Sequence, residues 1–265
     1  MDLEKLTQKV CDLAVETGEF LKQEVSKLKS TDIQSKGIHN YVTWVDKESE
    51  HRIIEHLSLL LPGSGFIAEE NPGLKTGEYT WVVDPLDGTT NFIHGVPLYC
   101  ISIALIHQGK PILGMIYEPN LGECFYTWES APAYLNREII RVSETPGINE
   151  SLFATGFPYY DYNRLDDYLA VFRHLLQNSH GARRLGSAAA DLAYTACGRY
   201  DGFFEYGLSP WDVAAGALLV KNAGGIVTDF LGTENYIFGK QIIATNDVIF
   251  NEFLKLFKAW KPGSS

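Results

Sequence analysis

The stretch 81-WVVDPLDGTTNF-92 constrains this chain more than any other. Trp81, Val82 and Val83 read as a buried strand that runs straight into Asp84. Pro85 has no N–H to offer a ladder, so pairing is expected to stop there. Asp84 and Asp87 then leave the sheet edge together, with the Leu86 carbonyl between them. Gly88 permits a tight turn, and Thr89 and Thr90 can open a short helix whose first N–H groups face an anion. Two carboxylates, a carbonyl and a helix start make a shell of hard oxygens beside an anion seat, which suits Mg²⁺ and phosphate. The same residues also suit an ordinary turn, with Asp87 as an Asx-type residue and Asp84 as an N-cap.

Other acids stand at similar places. Glu69 and Glu70 follow the short apolar run 66-FIA-68, where a strand leaves a sheet. Ser209, Pro210 and Asp212 form an S-x-x-D helix start with proline at the first helical position. Thr43 and Asp46 form a second one. Each is readable as a cap or a solvated loop. Taken together they put four or five carboxylates at element ends, the way a two-metal phosphoryl-transfer site is assembled.

Apolar spacing predicts helices over about 3–28, 44–61, 164–177, 187–197, 210–223 and 247–260. Strands are expected at 65–69, 79–84, 99–107, 112–119, 123–128, 151–157, 181–184 and 201–206, with short ones up to about 245. The loop 157–164 is polar and aromatic and suits a lid or rim. The small residues Ala214, Ala215 and Gly216 let another element approach closely. The order of elements predicts an α+β or mixed α/β fold, not a TIM barrel.

Net charge is −11 over 265 residues, which disfavours nucleic acid and anionic membranes as partners. Cys11, Cys100, Cys124 and Cys197 form no CxxC and read as reduced interior thiols. MDLEKL has no basic or apolar leader character, and no apolar run reaches membrane-spanning length, so a cytoplasmic location is expected.

With these motifs in hand, the chain resembles the inositol monophosphatase family. D-P-L-D-G-T-T-N, the upstream E-E and the downstream W-D-V-A-A-G carry the resemblance, which runs from Lys36 to Asn246. It implies one domain over 1–265, a layered αβαβα sandwich like that of fructose-1,6-bisphosphatase. An N-terminal lobe of about 1–145 would carry the main metal motif, and a C-terminal lobe of about 146–265 would complete it. The resemblance implies two or three Mg²⁺ ions, sensitivity to Li⁺ and a homodimer.

It also implies residue roles. Glu69, Asp84 and the Leu86 carbonyl match ligands of a first metal. Asp84, Asp87 and Asp212 match those of a second. Thr89 and Asp46 match the pair that orients the attacking water. Gly88 and Thr89 match the N–H groups offered to phosphate. Ser187, Ala188 and Glu205 match contacts to the polyol, with Asp212 beside them. Arg183 matches a conformation-holding arginine, and Lys36 a mobile lysine near the site. His94 reads as a neighbour rather than a base, and His39 and His180 carry no motif. Arg137 stands where a glycine often follows Asn, and Pro132 near a usual glycine, which puts the turn geometry in question there. The pair Arg183-Arg184 would favour a second anionic group on the substrate.

The implied reaction is hydrolysis of inositol 1-phosphate by in-line attack of water, without a phosphoenzyme. Histidinol phosphate, NADP, fructose 1,6-bisphosphate and 3′-phosphonucleotides are alternative substrates for the same chemistry. A non-catalytic binding protein on the same scaffold is a further alternative, which loss of a ligand would signal.

Overall fold

The computed structural model describes residues 1–28, 30–37, 40–71, 77–158, 162–258 and 260, without side-chain detail at 30, 35–37, 40 and 41. His39 and part of the 157–164 loop lie outside the described residues, as does the side chain of Lys36.

Helix α1 (Leu3–Val25) starts at Asp2, whose side chain accepts from the Lys5 N–H at 3.1 Å. It buries Leu6, Val10, Leu13, Ala14, Thr17 and Leu21, a stripe at helical spacing. A small hairpin, β1 (Ile33–Gly37) and β2 (Asn40–Thr43), leads into α2 (Trp44–Leu60). Then follow β3 (Gly65–Ala68), β4 (Tyr79–Asp87), the short α3 (Thr89–Ile93), β5 (Cys100–His107), β6 (Lys110–Glu118), β7 (Glu123–Trp128), β8 (Ala133–Leu135) and β9 (Glu138–Ile140). These seven strands form one sheet in chain order, with β3 and β4 parallel and every later pair antiparallel.

The second half gives β10 (Phe153–Thr155), α4 (Leu165–Asn178), β11 (Ala182–Arg183), α5 (Ala188–Ala196), β12 (Gly202–Tyr206), α6 (Pro210–Asn222), β13 (Ile226–Thr228), β14 (Gln241–Thr245) and α7 (Phe250–Leu254). Its five strands pair in the order β11-β10-β12-β14-β13, parallel around β10 and antiparallel around β14.

Strand alternation sorts the cores. In the large sheet, Trp81, Val83, Ile101, Ile103 and Met115 face α1 and α2. Val82, Cys100, Ala104, Ile116 and Phe125 face α5 and α6. In the small sheet, Ala154, Phe203, Ile242 and Ala244 meet α5 and α6 from the other side. Phe153, Phe204, Tyr206 and Ile243 pack outward with Tyr168 of α4 and Phe253 of α7. The layers therefore run α-β-α-β-α, as the resemblance implied. The small residues of α6 do what their size suggested: a Cβ on Gly114 of β6 would stand 2.7 Å from the Ala215 carbonyl oxygen, and one on Gly216 would meet Leu192 of α5.

Two spans differ from expectation. The last helix, expected over 247–260, is only Phe250–Leu254, followed by a 3-10 turn over Lys255–Phe257. The Trp260 N–H closes a three-residue turn on the Phe257 carbonyl at 2.8 Å. That tighter winding brings Phe257 and Trp260 together against Phe230. The second difference is in β4, which does not end at Pro85. Pairing with β5 lapses after Asp84↔Ser102 and resumes at Asp87↔Cys100, so β4 carries one extra residue there. At the β8–β9 turn, Asn136 (φ 48°) and Arg137 (φ 77°) are both left-handed. Asn136 anchors the turn through the Cys124 N–H and the Gly122 carbonyl, so the turn forms with arginine in a position that favours glycine.

Candidate active site

The bulge in β4 decides where the two aspartates point. Residues three apart on a regular strand face opposite sides of the sheet. The extra residue returns Asp87 to the α5/α6 side, on which Val82 and Asp84 already lie by alternation. Asp87 Oδ2 accepts from the Ser187 hydroxyl and the Ala189 N–H, both at 2.7 Å. Leu86, between the aspartates, is buried on the other side with α1 and α2. Its N–H donates to Asp84 Oδ1 at 2.9 Å, which fixes the curl of the bulge. Gly88 follows at φ 102°, and a Cβ there would press on the carbonyls of Leu98 and Gly186. Only glycine gives the chain this turn into α3.

Glu69 sits just beyond β3, with its N–H on the Val83 carbonyl at 3.3 Å, one residue from Asp84. The turn it belongs to is held by Glu50 of α2. This fully buried carboxylate accepts from the Glu70 N–H and from Asn71 Nδ2, both at 2.7 Å. Asp212 opens α6 as the third residue of a capping box, its Oδ2 taking the Ser209 N–H at 2.6 Å. The Ser102 hydroxyl of β5 donates to the Trp211 carbonyl at 3.0 Å and ties that helix start to the large sheet. Asp212 caps and faces the site at once.

Asp46 behaves likewise. It is buried, and its Oδ2 accepts from the Thr43 N–H at 2.8 Å and the Thr43 hydroxyl at 2.6 Å. Its other oxygen lies 3.0 Å from the Thr89 hydroxyl, which also lies 3.1 Å from the Leu86 carbonyl. A hydroxyl has one proton, so Thr89 donates to one of these at a time and keeps its lone pairs for a third group.

A cleft of about 170 Å³ is lined among others by Asp87, Arg184, Ser187, Ala188, Glu205 and Asp212, whereas Glu69, Asp84, Asp46 and Thr89 are not among its lining residues. Among the described residues its lining has no Cys or His. Gly156 lies against Glu205, where a Cβ would collide with the carboxylate. Of the two arginines, Arg184 lines the cleft and its guanidinium stands 5.2 Å over the Phe157 ring. Arg183, expected near the site, is exposed outside the lining and turns Nη1 to its neighbour's carbonyl. Sequence order within a two-residue strand does not tell which of two adjacent arginines faces inward. The single Arg184 charge faces Glu205 and Asp87, so the expected pair of cations for a second anionic group is not formed here. Asn91 Nδ2, from the last residue of the D-P-L-D-G-T-T-N motif and given no role there, bridges the Leu98 and Leu185 carbonyls at 2.8 Å each and holds α3 against the loop before α5.

The electrostatics are those of an uncompensated acidic basin. Burial pushes the Asp84 carboxyl well above the usual range, and the charges of Glu69, Asp87 and Asp212 push it further. Burial, then Asp87, does the same to Asp212. Asp87 is raised to about 6 by burial, against the pull of its Ala189 and Ser187 hydrogen bonds. Glu205 is raised to about 8 by burial, with Arg184 opposing. Asp46 is raised by burial against its Thr43 bonds. Hard oxygens crowded so that each disfavours its neighbour's charge are the donor set a divalent cation relieves. Glu69, Asp84, Asp87, Asp212 and the Leu86 carbonyl thus fit Mg²⁺. Among the described residues no three His, Cys, Asp or Glu side chains already close on one point as ligands. The acids form a basin rather than a finished coordination shell.

Residues 2–259 match the inositol monophosphatase family. The chain belongs to that family. It is 39% identical to the inositol-1-monophosphatase of Mesorhizobium japonicum over 95% of both chains. It is 40% identical to the Nus factor SuhB of Pseudomonas aeruginosa over 93% of each. The solved inositol monophosphatase of Anabaena superposes with a TM-score of 0.86 at 37% identity, covering 100% of this chain and 99% of that one. This family member is accordingly a phosphatase, with the family's fold. No helix among its described residues is long and apolar enough to cross a membrane.

Proposed function

We propose that the chain hydrolyses myo-inositol monophosphate to inositol and phosphate, with Mg²⁺ held by Glu69, Asp84, Asp87, Asp212 and the Leu86 carbonyl. The observation that carries this reading is the bulge of β4, which turns Asp84 and Asp87 to one side, where Asp87 lines a cleft with Asp212 and Glu205. Bound there, Mg²⁺ supplies Lewis acidity to the phosphoryl oxygens, the attacking water and the leaving oxygen.

The chain's own residues do the rest. Thr89 accepts a hydrogen bond from the attacking water and passes its own proton to Asp46 Oδ1, 3.0 Å away. Burial has moved Asp46 toward the neutral range, where a carboxylate is a better base. Gly88 and Thr89 N–H groups receive phosphate oxygens. Among the described residues the lining holds no Cys or His nucleophile, and water attacks directly. Ser187 and Asp87 hold each other in place at the start of α5, beside Ala188 on the polyol side. Glu205 accepts from a substrate hydroxyl, and Lys36 serves as the mobile lysine of the site. Inhibition by Li⁺, a homodimer and a cytoplasmic location belong to the same reading.

Similar identity to relatives called Nus factor SuhB supports a second reading, in which the chain also serves as such a factor. Its net charge of −11 argues for protein rather than nucleic acid contacts in that role. Complementation of a Pseudomonas aeruginosa strain lacking SuhB, with active and Asp87→Asn chains, separates the two roles.

The deciding experiment is phosphate release from inositol 1-phosphate, histidinol phosphate, NADP, fructose 1,6-bisphosphate and a 3′,5′-bisphosphonucleotide, with Mg²⁺ and with EDTA. Highest Mg²⁺-dependent kcat/KM on inositol 1-phosphate is expected. A higher value on another ester overturns the substrate, and equal rates in EDTA overturn the metal.

A further inference from the structure

One carboxylate in the cleft has no part in this scheme. Asp191 lies on α5, one turn in from its Ser187 cap, and is 1% exposed. Its Oδ1 is sealed from solvent without a hydrogen-bond partner. An acid in the first turn of a helix ordinarily serves the free N–H groups there. Here Ala189 N–H goes to Asp87, Ala190 N–H to the Ser187 hydroxyl at 3.2 Å, and Asp191 N–H to the Ser187 carbonyl at 3.1 Å, so none of these three uses the Asp191 side chain. Capping therefore does not explain the side chain. A buried acceptor left open is costly and calls for a partner. Asp191 lines the same cleft as Glu205, which comes from the opposite side on β12. Glu205, Asp87 and Arg184 are the charged groups that act on it. The cleft wall also includes Gly156, Gly186 and Ala188, none of which carries a side chain larger than a methyl group.

We propose that Asp191 is a specificity-determining residue which, paired with Glu205, accepts hydrogen bonds from neighbouring hydroxyls of a polyol phosphate. This rests on the reading of the substrate as a phosphorylated polyol. A hydroxyl donating to a carboxylate makes a short, charge-assisted bond. A site built for such hydroxyls rejects an ester lacking them, because its own buried acceptors then stay unpaired. Glu205 alone recognises one hydroxyl and tolerates many alcohols, whereas two acceptors approaching from a helix and a strand select the spacing between two hydroxyls.

The test compares wild type, Asp191→Ala and Asp191→Asn on inositol 1-phosphate and on 4-nitrophenyl phosphate, which carries no hydroxyl. In Asp191→Ala, kcat/KM is expected to fall about tenfold or more further on the inositol ester than on the aryl ester. Asp191→Asn, which keeps a carbonyl acceptor, is expected to show a smaller gap in the same direction. Inhibition of aryl ester turnover by free myo-inositol should weaken in parallel. Equal losses on both esters, or no loss on either, overturn the proposal. If thermal melting shows that the alanine variant does not fold, the asparagine variant decides by the same ratio. The wild-type rates judge the substrate reading separately. Preference for another polyol ester replaces inositol in that reading, and the Asp191 ratio is then read on that ester. A wild type that prefers no hydroxyl-bearing ester overturns both.

Discussion

Thr89 and Asp46 are 43 residues apart in the chain, and their side chains meet at 3.0 Å. Asp46 comes from the first turn of α2 and Thr89 from the first residue of α3, so the contact exists only when both helices seat against β4. Thr89→Ala is expected to lower kcat by about 10²–10⁴, the usual weight of a general base step. Thr89→Ser keeps the hydroxyl and should retain most of the rate. KM for the phosphate ester should change little in either. Steady-state kinetics with melting curves check this, and an unimpaired Thr89→Ala enzyme removes Thr89 from the reaction.

Gly156 and Glu205 make a second such pair. The backbone of Gly156 occupies the space beside the Glu205 carboxylate, and any Cβ would displace it. Its neighbours are well anchored: the Tyr168 hydroxyl donates to the Gly156 carbonyl at 2.8 Å, and the Thr155 hydroxyl to the Phe204 carbonyl at 2.8 Å. The side chain of Glu205 therefore yields rather than the strand. Gly156→Ala should fold and raise KM for the hydroxyl-bearing ester about tenfold, while melting within a few degrees of wild type. Unchanged KM values across the ester panel refute the steric account.

Glu50 holds the turn that carries Glu69. In Glu50→Gln an amide N–H₂ would face either the Glu70 N–H or Asn71 Nδ2, donor against donor. The expected loss is about 1–3 kcal/mol of stability from a buried unmet group. Glu69 would be less well placed, so the Mg²⁺ concentration for half-maximal activity should rise. Titration of activity against Mg²⁺, beside a urea melt, reads both effects.

Glu50 also marks where sequence reasoning ends. Asp84, Asp87 and Asp212 were legible because their motifs are local: a strand end, a turn glycine, a capping box. Glu50 sits mid-helix in 47-KESEHR-52, which looks like a solvated face, and only the docking of α2 against the β3–β4 turn buries it. The bulge was equally hidden. Pro85 signalled a break in pairing, but whether pairing resumes depends on β5, which nothing in 84–87 encodes. Arg184, just past β11, lines the cleft and Arg183, paired with Ala154 of β10, does not, a facing set by β10 rather than by the local sequence. The mixed α/β class was legible from alternation and helical spacing, and the layering from the family resemblance. The shortened α7 was not, since the aromatic cluster that tightens it is assembled from residues far apart in the chain.

The raised acids set a pH dependence whose sign is fixed. Asp87 moves from 3.8 to about 6 and Glu205 from 4.5 to about 8 on folding, burial being the leading cause in both. Between the unfolded and folded values the native chain holds protons that the unfolded chain has released. Stability therefore falls as pH rises through that window. Without divalent metal, the melting temperature should decline from about pH 4 to about pH 8. Added Mg²⁺ should raise it most at the alkaline end, where the basin is most charged. Glu205→Gln removes one of the two titrations and should flatten the decline above about pH 6, with higher stability than wild type at pH 8 in EDTA. A melting temperature that rises with pH in EDTA contradicts the burial of charge on which this account depends.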